Sequence, residues 1–122
     1  MKLYGLETIK SKLDLDKAQK FFTNTCMVHL DKYVPYDTGT LADTVVSTEN
    51  QIVYDQEYAS YVYYGITKNG NKMHINTDKH PFASSYWDEK MISVEMDDIV
   101  KEVQAFIDRS IKWIMKHYEY QN

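Results

Sequence analysis

The spacing of apolar residues changes period twice along this chain. Leu15, Ala18, Phe22, Cys26, Leu30 and Tyr33 recur at threes and fours, which predicts an amphipathic helix over 14–33. Asp14 and Asp16 stand at its start, where the helix dipole favours carboxylates. Pro35 cannot continue it and biases Val34 to an extended backbone. The middle of the chain turns β-branched: 44–48 and 51–54 read as two strands either side of Glu49-Asn50, a hairpin. Residues 55–64 place Tyr58, Tyr61 and Val62 at helical spacing, a short helix. Asn69-Gly70, between 66–68 and 73–75, predicts a second hairpin with a type I′ turn. Its flanks are polar, so it is expected to project from the body.

After Pro81 there is neither glycine nor proline, which permits a long helix. Ser84 or Ser85 is the expected cap. Trp87, Met91 and Val94, then Met96, Val100, Val103, Ile107, Ile111, Ile114 and Tyr118, mark its apolar side, with a bend expected at 93–96. Glu95, Asp97 and Asp98 early and Lys112, Lys116 and His117 late follow the order that the macrodipole prefers. The predicted class is α+β: a small antiparallel sheet packed by an N-terminal helix and a long C-terminal helix. Leu15, Phe22 and Leu30 should meet Val103, Ile107 or Ile111 where the two helices pack.

Composition narrows the function classes. The length of 122 residues gives one expected domain, 1–122. Fourteen Lys and Arg against eighteen Asp and Glu leave a formal charge of −4, which argues against gripping nucleic acid over the whole surface. A lone cysteine, Cys26, removes an internal disulfide and a thiolate zinc site, and suits a reducing compartment. The N-terminus shows no secretory h-region, and no apolar run approaches the roughly 18 residues needed to span a bilayer. Eleven tyrosines are the compositional oddity, and tyrosine favours interfaces.

No catalytic constellation emerges. Among the histidines, His29 falls on a helix surface and His117 near a helix end; His74 and His80 flank Asp78 at a spacing that fits no zinc motif. Cys26 lies on the apolar stripe and reads as a buried, inert thiol. Asp97-Asp98 reads as helix N-terminal charge, and Glu49 with Asp55 as hairpin flanks. Arg109, Lys112 and Lys116 read as a solvated helix face. No enzyme activity, catalytic residue, metal or cofactor is expected. Contact with another protein is, through Tyr58, Tyr61, Tyr63 and Tyr64 on the short helix and Lys68, Asn69, Gly70 and Lys72 on the projecting hairpin. A helix this short buries only one stripe, so at least one of these tyrosines must face outward.

Three blocks, in order, carry a resemblance. Tyr33-Val34-Pro35-Tyr36-Asp37-Thr38-Gly39-Thr40-Leu41 comes first. Ile52-Val53-Tyr54 follows, with Tyr58-Ala59 and Tyr63-Tyr64-Gly65. His80-Pro81, Ala83-Ser84 and Trp87-Asp88-Glu89-Lys90 close the set. Together they resemble the signature of phage minor capsid and head–tail connector proteins, over about half the chain. The motif positions are Pro35, Asp37, Thr38, Gly39, Leu41, Tyr54, Tyr58, Ala59, Gly65, Pro81 and Trp87. Physically, the first block reads as a helix-to-strand corner: Asp37 and Thr38 cap the turn, Gly39 takes a positive φ, and Leu41 returns to the core.

The resemblance implies a virion structural protein of the tail-completion or neck type. Such proteins form rings with copies of themselves, hexameric here, with twelve-fold symmetry as the head-side alternative. The implied neighbours are a head-side connector or adaptor and a tail-side terminator or tube protein. DNA would pass through the channel without specific binding. The implied location is the tail or neck of the virion, reached from the host cytoplasm during assembly, with no membrane and no cofactor. The alternative reading is a small intracellular adaptor that binds one protein through its tyrosine-rich face.

Overall fold

Asp14 starts the first helix by side-chain chemistry. Its carboxylate accepts a hydrogen bond from the Lys17 amide at 3.0 Å, and α1 runs Leu15–Leu30. In the computed structural model, residues 12–36 and 40–117 are described. The helix expected through residue 33 ends at Leu30; Asp31–Tyr33 tighten into a 3-10 turn, and Val34 is extended, as the following proline demands. A single helical turn, α2 (Thr40–Asp43), stands where a direct corner into the sheet was expected. It lets the adjacent Leu41 and Ala42 both face the core, which an alternating strand could not do.

β1 (Val45–Ser47) and β2 (Ile52–Tyr54) pair antiparallel, Val46 opposite Val53, around the expected turn. α3 (Ala59–Tyr64) follows and closes at Gly65 in the left-handed conformation, φ 70°. The second hairpin differs from the type I′ expectation. Gly70 donates to Thr67 O at 2.9 Å, and Thr67 N–H to Asn71 O at 2.7 Å. Gly70 has φ 85°, while Asn69 is not among the positive-φ residues. A type I′ turn needs positive φ at both; this loop is the three-residue form, with the glycine in the left-handed position.

α4 (Trp87–His117) is one uninterrupted helix of 31 residues, with no break at 93–96. Neither Ser84 nor Ser85 caps it. Tyr86, at φ 52°, precedes it, and its carbonyl accepts from the Lys90 amide. Asp88 and Glu89 are the carboxylates of its first turn, so Asp97 and Asp98 lie well inside the helix instead of at its start. The buried residues are Trp87, Met91, Glu95 and Ile99 at a spacing of four, then Ile114. Val94 and Val100, expected on that stripe, are exposed.

α1 and α4 lie antiparallel. Phe21 stacks on Phe106 at 4.4 Å, and His29 meets Glu95, eleven residues earlier on α4. Phe22 and Val103 flank the core on the side expected of them, and Leu30 is buried. Leu15 is exposed and makes no part of the core. Phe21 takes the place at that end of the helix pair. Leu30, Tyr33, Val34, Leu41, Trp87 and Ile99 form the core beneath the two strands.

Ile99 is 0% exposed and Val100 53%. Ile99→Ala should cost about 2–5 kcal/mol in urea unfolding. Val100→Ala should cost about 0.5 kcal/mol or less. The reverse order would contradict the observed helix face.

Candidate interaction site

Three of the motif residues meet at one cleft. Tyr54, Ala59 and Trp87 line it together with Ile52, Tyr63 and Met91, in a volume of about 480 Å³ between β2 and α3. Trp87 is the floor's anchor: Tyr54 meets its ring edge-on at 5.4 Å and Tyr63 at 4.9 Å. Edge-to-face pairs of this kind add roughly 1 kcal/mol each beyond burial. Tyr63 donates its hydroxyl to Asp88 Oδ1 at 2.5 Å. That bond and burial raise the Tyr63 pKa; burial, then the Asp31 charge, raises that of Tyr54. Both phenols therefore stay neutral and remain donors.

Gly65 serves twice. Its left-handed φ ends α3, and a Cβ there would sit 3.1 Å from Ser85 Cβ, so the backbone approaches the start of α4 closely. Pro81 is exposed, but its turn is tied inward on both sides. His80 Nδ1 lies 2.8 Å from Val34 O, and Ser84 N–H donates to Tyr33 O at 3.1 Å. The last block is thereby fastened to the first, with Pro35 half-buried and Leu41 buried between the α1 end and the sheet. Asp37, Thr38 and Gly39, and their expected capping and positive φ, lie outside the described residues, as does Tyr118.

The expected contact residues divide by exposure. Tyr58, Tyr61 and Tyr64 are 42%, 36% and 54% exposed, while Tyr63 turns into the cleft, which Tyr64 also lines. Tyr86, unmarked by the sequence pattern, joins them, with its ring 5.1 Å from Tyr63 and 5.7 Å from Tyr64. Lys68, Asn69, Gly70 and Lys72 are all exposed. Their hairpin is rooted on the end of α3: Ile66 N–H donates to Tyr61 O, and Met73 N–H to Gly65 O.

Sequence reading missed the electrostatic centre. Glu95, placed among helix-dipole charges, is buried. Its Oε1 lies 2.9 Å from His29 Nδ1 and 2.5 Å from Lys32 Nζ. His29 Nε2 reaches Glu102 Oε2 at 2.6 Å, so this histidine is a bridge and not a free surface ring. Burial pushes the Glu95 carboxyl up, but Lys32, Tyr33 and His29 outweigh it and hold it down at about 2. The His29 pKa is raised, chiefly by Glu95. Burial and then Glu95 push the Tyr33 hydroxyl up to about 12. A histidine and a lysine spaced i, i+3 before the Pro35 stop were the available signal. His74 is exposed, while His80 is tied to Val34, so the two serve different ends. Cys26 is buried, and desolvation raises its thiol pKa, as expected of an inert thiol.

Among the described residues, no helix is long and apolar enough to cross a membrane. The family model for a minor capsid protein matches residues 1–117. No curated protein and no solved structure shows significant similarity to the chain. A match over nearly the whole length shows that the chain belongs to the minor capsid protein family, and its role is that of a virion structural component.

The buried network makes stability pH-dependent. Glu95 is held at about 2 against an ordinary 4.5, so its contribution is present above pH 4.5 and lost as pH falls toward 2. The contribution of His29 is complete below its ordinary 6.5 and fades as pH rises through its raised value. In urea titrations against pH, Glu95→Gln should remove most of the acid limb and shrink the alkaline one. An unchanged profile would contradict the network.

Proposed function

We propose that the chain works by assembly. It forms a ring with copies of itself at the head–tail junction and joins the portal-connector complex to the tail tube. The central channel passes DNA without gripping it. Family membership supports a structural role in the virion over a catalytic one. The observation that carries the finer reading is the outward tyrosine group beside an apolar cleft that Tyr54, Ala59 and Trp87 help to line. Surface tyrosine supplies large contact area at little entropic cost, which is what repeated subunit contacts need. The net charge of −4 suits a conduit whose lumen must not hold phosphates. In this reading the chain is made in the host cytoplasm and ends in the neck, between a head-side connector and a tail-side terminator or tube protein. Six-fold symmetry matches tails, and twelve-fold would place it nearer the head.

Phage lacking this chain should accumulate filled heads and separate tails, with infectivity restored when the chain is supplied. Mass spectrometry of purified virions should find it at six or twelve copies, a symmetry-based expectation of roughly one per ring position. Absence from virions, with one host protein bound, would favour the adaptor reading instead.

The tyrosines give a sharper test. Tyr61→Glu should shift monomer stability by about 0.5 kcal/mol or less, because that side chain faces solvent, and Tyr64→Glu by about 1–2 kcal/mol, because its half-exposed ring also packs edge-on against Tyr63 and Tyr86. Both should impair particle joining, because a carboxylate buried unpaired at an interface costs several kcal/mol. Tyr63→Glu should instead unfold the monomer, since that side chain fills the cleft against Trp87. Normal joining by the Tyr61 and Tyr64 variants would overturn the tyrosine interface.

A further inference from the structure

We propose that the cleft between β2 and α3 receives the 66–75 hairpin of a second copy of this chain, head to tail. This rests on the ring reading above, and gives the ring a specific contact.

Three independent features meet. The first is shape: the cleft is open, has an apolar floor of Leu30, Ile52, Trp87 and Met91, and carries polar groups of Ser60 and Asp88 on its wall. The second is an open strand edge. Thr48 N–H donates to Gln51 O across the turn, so hydrogen-bonded pairs alternate from there and Val46 with Val53 is the next. Ile52 and Tyr54 therefore aim their backbone groups away from β1. No hydrogen bond from another described segment reaches them. Among the described residues the sheet has two strands and the outer edge of β2 is unpaired; such an edge is a template for an added strand.

The third feature is charge. Asp55 and Glu57 follow β2, and of the two carboxylates that open α4, Asp88 and Glu89, Asp88 lines the cleft. Between Ile66 and Thr77 the chain has Lys68 and Lys72 and no carboxylate. Among the described residues, no ion pair involves Lys68, Lys72, Asp55, Glu57 or Glu89. Among the described residues, the hairpin lysines and the carboxylates Asp55, Glu57 and Glu89 thus lack an ion pair within one protomer and are complementary between two. The hairpin also exposes Ile66, an apolar group able to enter a cleft floored by Trp87. A donor and an acceptor at different places on one protomer make a heterologous contact, the type that closes into a ring.

The test uses virions carrying Ser60→Cys with Asn69→Cys; both positions are exposed, and the native Cys26 is buried. Oxidation with copper phenanthroline should give a ladder of chain multimers on a non-reducing gel, collapsed by dithiothreitol. Each single variant should stay monomeric. Monomer alone from the double variant would overturn the proposal. A lysine-reactive crosslinker on wild-type virions separates the two levels. Multimers there without the cysteine ladder place the copies in contact elsewhere, and the ring reading stands. No multimers by either chemistry would sink the ring reading and this contact together. A second arm needs no cysteine. Lys68→Glu with Lys72→Glu should lower infectious titre by roughly tenfold or more, and Asp55→Lys with Glu57→Lys should restore it. Unchanged titre after the lysine reversal, or no restoration by the swap, would also overturn it.

Discussion

One buried carboxylate fixes how the two long helices meet. Glu95 is 6% exposed, yet it stays charged because His29, at the end of the first helix, and Lys32, in the 3-10 turn that follows, converge on a single oxygen. Desolvating a lone carboxylate would cost several kcal/mol, so the charge tolerates only an arrangement that keeps its partners in place. The consequence is geometric. With the end of α1 held against the first third of α4, Tyr33 and Val34 are buried at the corner and the chain is delivered to Leu41 and the strands. Slipping one helix against the other by a turn would strand the carboxylate. The network therefore sets register more than it adds net stability.

The second anchor is Trp87, and it connects the fold to what the molecule presents outward. Its ring is covered by Tyr54 from the sheet and Tyr63 from the short helix. The second and third motif blocks, which lie apart in sequence, are thereby brought to one place. Gly65 permits the close approach between α3 and the start of α4. Tyr54, Ala59 and Trp87 of the sequence motif thus line a cleft, with exposed tyrosines near it.

Much of the fold was legible in the chain. Asp14 as a cap, Pro35 as a stop, the turn at Glu49-Asn50 and the glycine- and proline-free final helix are local signals, and local physics decides them. What was not legible depended on partners distant in sequence. Glu95 reads as dipole charge until His29 and Lys32 are placed beside it, and that polar interruption diverted the expected stripe to Val94 and Val100. Asn69-Gly70 specifies a tight turn, but the loop length depends on which residues pair across it. Tyr86 gives no sequence sign of its positive φ. In the candidate site, the tyrosines were legible by spacing, and the cleft was not, because β2, α3 and the head of α4 must come together to make it.

The central claim is that the motif builds a scaffold whose outer tyrosines and cleft are covered in the particle. Hydroxyl-radical footprinting of the free chain and of the same chain within purified virions tests it most directly. The account predicts strong protection of Tyr58, Tyr61 and Tyr64 and of the 66–75 hairpin on incorporation, with little change at the already buried Trp87 and Met91. Equal labelling of those tyrosines in the two states, with protection confined to other surfaces, would contradict it.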